Sequence, residues 1–253
     1  IAPSHIGYFK GAGIGRIASA LKKAGFAGVG ETALGAEAVS AMTCGFLRDA
    51  KQRLVISSAC PAAVDYIRKY LPEYAKNIIP LHSPVLAHCR MLRDQFGETI
   101  KTVFFGPCAA KKNEADRNPE LLNLALTFAD LEELLEEKGI HFDDTVEEPV
   151  LRGAEEGRFY SIEGGMNDTL REQGTKVRFI AVAGLDNLSA VLSSGCASEG
   201  QPGRTVFIEA LACHSGCVNG PAMPSGAASL GTIFRTDRES TLSDSGQRVI
   251  RSD

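Results

Sequence analysis

The sequence predicts an α/β protein: two lobes of mainly parallel sheet flanked by helices, with a metal site in the cleft between them. Three observations carry this. Short apolar runs alternate with amphipathic stretches, the pattern of parallel strands joined by crossover helices. The 253 residues suffice for one large domain or two modest lobes. Four cysteines fall just after strand-like runs, at the edge of an open parallel sheet where ligands collect.

The strand-like runs are Ile6–Phe9, Leu54–Ser57, Thr102–Phe105, Leu124–Phe128, Phe179–Ala183 and Thr205–Leu211. Helical periodicity covers Arg16–Ala24, Ala36–Ala50, Ala62–Tyr70 and Val85–Phe96. Thr127-Phe-Ala-Asp130 reads as a capped start to a helix over Leu131–Lys138, with Gly139 as its stop. Asp130 to Glu148 is acidic and reads as a solvated face. From Arg235 the chain turns polar and loses its periodicity, as a tail or linker toward a further module would. Gly11-Ala12-Gly13-Ile14-Gly15 lacks the third glycine of a dinucleotide fingerprint, because position 16 is Arg16, so it reads as a turn into a helix.

A net charge of -4 without a basic stripe excludes electrostatic capture of nucleic acid or an anionic membrane. No apolar run nears the roughly 20 residues of a membrane span, so the expected location is the cytoplasm. The chain begins at Ile1 inside an apolar segment and reads as a piece of a longer polypeptide. Seven cysteines, an odd number in a chain that is neither short nor visibly secreted, point to metal or catalysis rather than a disulfide framework.

Cys60 follows Leu-Val-Ile-Ser-Ser-Ala and precedes Pro61, which suits the first turn of a helix. Cys108 follows Val-Phe-Phe-Gly-Pro, and Cys213 and Cys217 follow Val-Phe-Ile-Glu-Ala-Leu-Ala. Three remote segments can thus offer four thiolates to one centre. Four thiolates fit either a [4Fe–4S] cluster or zinc. One CxxxC pair joined by two distant single cysteines suits a cluster between lobes better than a local zinc knuckle; four unrelated buried thiols is the plainest alternative. Cys44 and Cys89 lie in helical patterns and read as core, while Cys196 sits in a Gly-rich loop.

These segments resemble the H-cluster domain of [FeFe] (iron-only) hydrogenases. Ser57-Ser-Ala-Cys60-Pro61 is similar to the signature TSCCPxW. Phe105-Gly-Pro-Cys108-Ala-Ala-Lys111-Lys112 is similar to PCxAKK, and Glu209-Ala-Leu-Ala-Cys213-His-Ser-Gly-Cys217-Val-Asn-Gly220 to ExxxCxxGCxxGGG. Ala2-Pro3-Ser4 ahead of a strand, Ser83-Pro84, and Glu163-Gly-Gly165 before Asp168-Thr-Leu-Arg171 support it. The resemblance spans about the first 225 residues and implies a domain over 1–234 in two lobes, with 235–253 as the tail.

The resemblance further implies that Cys60, Cys108, Cys213 and Cys217 hold a [4Fe–4S] cluster. Cys217 would bridge to a [2Fe] subsite with carbonyl, cyanide and a bridging azadithiolate, the two parts together forming the H-cluster. Lys111 would donate to one cyanide, backbone around Ala2, Pro3 and Ser4 would line the other, and Ser83 would pack nearby. Pro107, Gly164 and Gly165 would belong to the cofactor-binding set. The implied reaction is reversible H2 oxidation and proton reduction. It would need an electron-transfer partner or accessory iron–sulfur domains, and an anaerobic setting.

Departures from the family set the finer expectation. Ala59 stands where fast enzymes carry a proton-passing cysteine, and a methyl group carries no proton. Val39-Ser-Ala-Met-Thr-Cys-Gly-Phe46 lacks the family's relay glutamates. Gly106 and Leu211 replace two methionines, and the usual tryptophan is absent. A proton relay stripped of its thiol and acids predicts low turnover, and the resemblance to divergent family members implies a hydrogen or redox sensor attached to a signalling module. Two alternatives remain: a hydrogenase-like iron–sulfur assembly or scaffold protein without the diiron subsite, and a zinc-stabilised α/β interaction module.

Overall fold

Two parallel sheets organise the computed structural model, which describes residues 1–151, 155–174, 177–195 and 205–224. Its strands are β1 (Leu54–Ile56), β2 (Val103–Phe105), β3 (Leu124–Leu126), β4 (Arg178–Ala183) and β5 (Val206–Leu211). The larger sheet has the order β1-β5-β4, with Ile56 opposite Ile208 and Ala183 opposite Leu211. The smaller pairs β2 with β3. All six residues of β5 are buried, as expected of a central parallel strand covered on both faces.

Helices α1 (His5–Tyr8), α2 (Ile14–Lys23) and α3 (Ala33–Asp49) precede β1. Helices α4 (Pro61–Tyr70) and α5 (Pro84–Phe96) follow it, and α6 (Ala110–Arg117) joins β2 to β3. Then come α7 (Phe128–Glu137), α8 (Glu155–Arg158) and α9 (Gly165–Glu172), with α10 (Leu185–Ser193) between β4 and β5. Among the described residues no helix is long and apolar enough to cross a membrane.

The core divides as the sheets do. Ile17, Phe104, Phe105, Leu122, Phe128 and Leu131 fill the space around β2 and β3. Ile56, Ile67, Leu188, Leu192 and Ile208 pack one face of the larger sheet, while Val39, Val55, Met166, Leu170 and Phe207 pack the other. Val206, Phe207 and Ile208 of β5 alternate between these faces, the period of two that a strand requires.

Strands β1 to β5 coincide with five of the six strand-like runs. The sixth, Ile6–Phe9, is helical: α1 occupies His5–Tyr8, so Ala2-Pro3-Ser4 precedes a helix turn rather than a strand. The apolar residues there are buried by ring packing instead of sheet pairing, with Phe9 against Tyr8, Phe128 and Phe142. The run at Leu124–Phe128 also ends early, because Thr127 caps α7. Its hydroxyl accepts from Asp130 N at 3.1 Å, and Asp130 Oδ2 accepts from Thr127 N at 2.6 Å. Gly139, at φ 62°, closes that helix region as expected. The acidic stretch is largely a solvated face, with Glu147 and Glu148 paired to Arg16 and Lys22. Cys196 and the tail from Arg235 lie outside the described residues.

Candidate metal centre

The four predicted cysteines reach one place by three routes. Cys60 leaves β1 and is the N-cap of α4, with Pro61 in the first turn, where its missing N–H costs nothing. Cys108 leaves β2 just before α6. Cys213 and Cys217 follow β5 on a tight turn in which Gly216 N donates to Cys213 O at 3.0 Å. Gly216 has φ 96°, and a Cβ there would stand 2.6 Å from Ser161 O. Only glycine lets this turn lie against segment 161–163.

All four thiols line a single cavity at the carboxyl ends of both sheets, together with Pro107, Leu211, Ala212, Gly216 and Gly220. They also act on one another. Burial pushes the Cys213 thiol up to about 11, helped by Cys60 and Cys108. Burial raises Cys217 well above the usual thiol range, and Cys108, Cys60 and Cys213 add to it. Burial raises Cys60 as well. Four thiols crowded into a desolvated space hold their protons until a cationic centre replaces them.

The donor set fits a cluster better than a single ion. A tetrahedral zinc with Zn–S of about 2.3 Å needs its ligands drawn close together. Among the described residues no three His, Cys, Asp or Glu side chains are arranged to hold one metal ion. A cube of iron and sulfide instead spreads its four thiolates over separate corners, and four thiols around one cavity suit it.

Lys111 stands beside this cavity. Its side chain is 8% exposed, and Nζ donates to Glu114 Oε2 at 2.5 Å and to Ser83 Oγ at 3.0 Å. Burial disfavours its charge, but Glu114, Cys108 and Cys60 more than offset this and hold its pKa above the usual value. Ser83 also caps α5 by accepting from Leu86 N at 3.4 Å. Two of the predicted residues are thereby tied to each other. Glu114 was not anticipated, although its position three after Lys111 on a helix was the available signal.

Segment 1–4 lies against the end of β2, where Ala2 N donates to Phe105 O at 2.9 Å. Gly106 accommodates this approach: a Cβ there would meet the Phe104 ring at 2.4 Å and Ala2 Cβ at 3.0 Å. Phe104 and Ala2 thus fill the space that a side chain at 106 would need. Ser4 is fully buried, and its hydroxyl oxygen has no hydrogen-bond partner among the described residues. Such an orphaned buried group fits a ligand site.

Gly164 and Gly165 do not line the thiol cavity. They begin α9, where Gly164 N donates to Glu209 Oε1 at 3.2 Å. Ala59 is half-buried and packs with Val39, Cys44 and Tyr160 around Phe207. Cys44 and Cys89 are buried in α3 and α5, as expected of core thiols.

Residues 1–221 match the family described as "Iron only hydrogenase large subunit, C-terminal domain". The chain belongs to this family. Iron hydrogenase 1 of Clostridium pasteurianum is 25% identical over a 222-residue alignment that covers 67% of this chain and 38% of that protein. The iron-only hydrogenase domain thus spans well under half the length of this curated relative. A variant of the [FeFe]-hydrogenase HydA1 from Chlamydomonas reinhardtii superposes with a TM-score of 0.68 at 18% identity, covering 93% of this chain and 81% of that one. An apo form of the same enzyme gives 0.66 at 18% identity, with 93% and 81% covered. At that identity the likeness establishes the α/β hydrogenase fold, and the chain's own residues must carry the chemistry.

Proposed function

We propose that this chain is an H-cluster domain that oxidises H2 and reduces protons reversibly at low rate, as a hydrogen or redox sensor. The observation that carries the reading is the cavity shared by Cys60, Cys108, Cys213 and Cys217, with Lys111 buried beside it. These four thiolates would ligate the [4Fe–4S] part, with Cys217 shared by the diiron subsite. When bound, the H-cluster supplies an open metal position, a base at its bridging amine and a store for electrons.

The chain's own residues hold and screen that group. Lys111, paired with Glu114 and hydrogen-bonded to Ser83, would supply a charged donor to a cyanide of the bound group. Ala2, Pro3 and buried Ser4 would offer the second cyanide its donors. Pro107 and Leu211 give the thiol cavity apolar wall. Ala59 can neither accept nor donate a proton, so delivery through this position is blocked.

Electrons would pass to a partner or accessory iron–sulfur domain, and residues 235–253 would lead from the domain at 1–234 toward a signalling module. Cytoplasmic, anaerobic conditions suit such a centre.

The test is infrared spectroscopy of the anaerobically matured protein under H2 and under inert gas. Metal-bound carbonyl and cyanide bands that shift between the gases are expected. A brown, four-iron protein without those bands would favour the scaffold reading, and a colourless zinc protein the interaction module.

A further inference from the structure

Helices α4 and α6 each have one thiol of the metal site at their start. Cys60 is the N-cap of α4, and the Ala63 N–H donates to its sulfur. Cys108 stands just before α6, where Lys111 N donates to Cys108 O at 3.3 Å. The two helices belong to different parts of the core. Ala63 and Ile67 of α4 pack with the larger sheet, whereas Ala115 of α6 packs with Phe104 and Leu122 around the smaller one. A change in the spacing of these helices therefore changes the spacing of Cys60 and Cys108.

A bidentate ion pair spans the two helices. Arg117 Nη1 donates to Asp65 Oδ1 at 2.7 Å, and Nη2 donates to Asp65 Oδ2 at 2.8 Å. Arg117 Nε donates to Asn113 O at 3.2 Å, which fixes the guanidinium on its own helix. A planar fork held at three points sets direction as well as distance, as a single ammonium contact does not. The two side chains are 50% and 39% exposed, so the pair adds little to folding stability and is open to screening by salt.

We propose that Asp65 and Arg117 are positioning residues for the metal centre: their ion pair sets the spacing of the helices that present Cys60 and Cys108, and so slows loss of a bound cluster. This rests on the reading of the four thiols as ligands of an iron–sulfur cube. The pair acts through α4 and α6, each of which is hydrogen-bonded in its first turn to the cysteine it follows.

Two arms test this. In protein loaded with a [4Fe–4S] cluster, iron release to an external chelator is followed by loss of the cluster's absorbance. Asp65→Ala and Arg117→Ala should each release iron about two- to five-fold faster than the parent, the range that an exposed ion pair allows. The double variant should match the singles, because one interaction is removed rather than two. Arg117→Lys, which keeps the charge without the fork, should fall between parent and Arg117→Ala. High salt should bring the parent to the variants' rate. Parent-like release in the single variants, or additive effects in the double, overturns the proposal. In metal-free protein, hydrogen exchange should quicken in peptides covering 60–67 and 108–117 of Arg117→Ala, and stay at the parent rate in β5. Exchange that is unchanged, or that rises evenly along the chain, also overturns it. A parent protein that takes up no cluster counts against the cluster reading, while the second arm, which needs no metal, still reads the brace.

Discussion

Lys111 Nζ lies 2.5 Å from Glu114 Oε2, with both side chains exposed by less than a tenth. A buried ion pair contributes little net stability, but removing one partner strands a charge and costs about 3–5 kcal/mol. Glu114→Ala should therefore lower stability by about that amount in denaturant titrations of the metal-free protein. Ser83→Ala should cost less, about 1 kcal/mol for the lost cap, and should leave Lys111 its carboxylate. If Glu114→Ala proves neutral, the pair does not fix Lys111, and the cyanide-facing role loses its support.

Glu31 and Arg158 form a second pair sunk into the fold. The Glu31 side chain is fully buried, and Arg158 Nε donates to Glu31 Oε2 at 3.0 Å. Thr32, its neighbour, donates its N–H to Ile1 O at 3.0 Å and so holds the segment leading to Ala2–Ser4. Arg158→Ala should destabilise by about 3–5 kcal/mol, which for a domain this size lowers Tm by roughly 10 °C. Calorimetry of the variant checks this, and a fall of only a degree or two would mean that Glu31 finds another partner.

Glu209 caps α9 from the neighbouring sheet: Oε1 accepts from Gly164 N and Oε2 from Asn167 N at 3.0 Å. Those donors favour the carboxylate, but burial outweighs them and pushes its pKa from 4.5 up to about 7. Between these values the folded protein binds more protons than the unfolded one. This contribution is thus fully present below about 4.5 and is lost as pH rises through about 7. Its size is on the order of 3 kcal/mol. Glu209→Gln removes the titration and sets an amide N–H against one backbone donor. The parent's advantage over the variant should shrink as pH rises from 5 to 8. A gap that stays constant in urea titrations across that range would show that Glu209 does not titrate there.

The strand–helix alternation and the cysteine placements were readable because both follow from local pattern: a buried parallel strand is continuously apolar, and thiols after such strands meet at one sheet edge. Ile6–Phe9 was misread because a four-residue apolar run has the same appearance whether rings or strands cover it. The pairings Lys111–Ser83, Glu31–Arg158 and Tyr160–Ser40 join residues 28, 127 and 120 positions apart. No periodicity encodes such contacts. Glu209 was seen as part of a signature, but its capping of α9 emerges only once β5 lies beside Gly164.

Restoring a thiol at position 59 tests whether proton delivery limits turnover. Ala59 is half-buried beside Cys60, so Ala59→Cys adds one sulfur at a position that is not sealed in the core. Val39, in the same apolar cluster as Ala59, is 1% exposed, so it offers the new thiol no group to take its proton. The single variant should raise H2 turnover only modestly. Adding Val39→Glu should raise it further, toward the 100-fold or more that a positioned acid–base group supplies, while unsatisfied burial of the carboxyl costs several kcal/mol of stability. Turnover per infrared-quantified metal site, read together with thermal unfolding, separates the two effects. If both variants turn over at the parent rate with full metal loading, proton supply through position 59 does not set the rate.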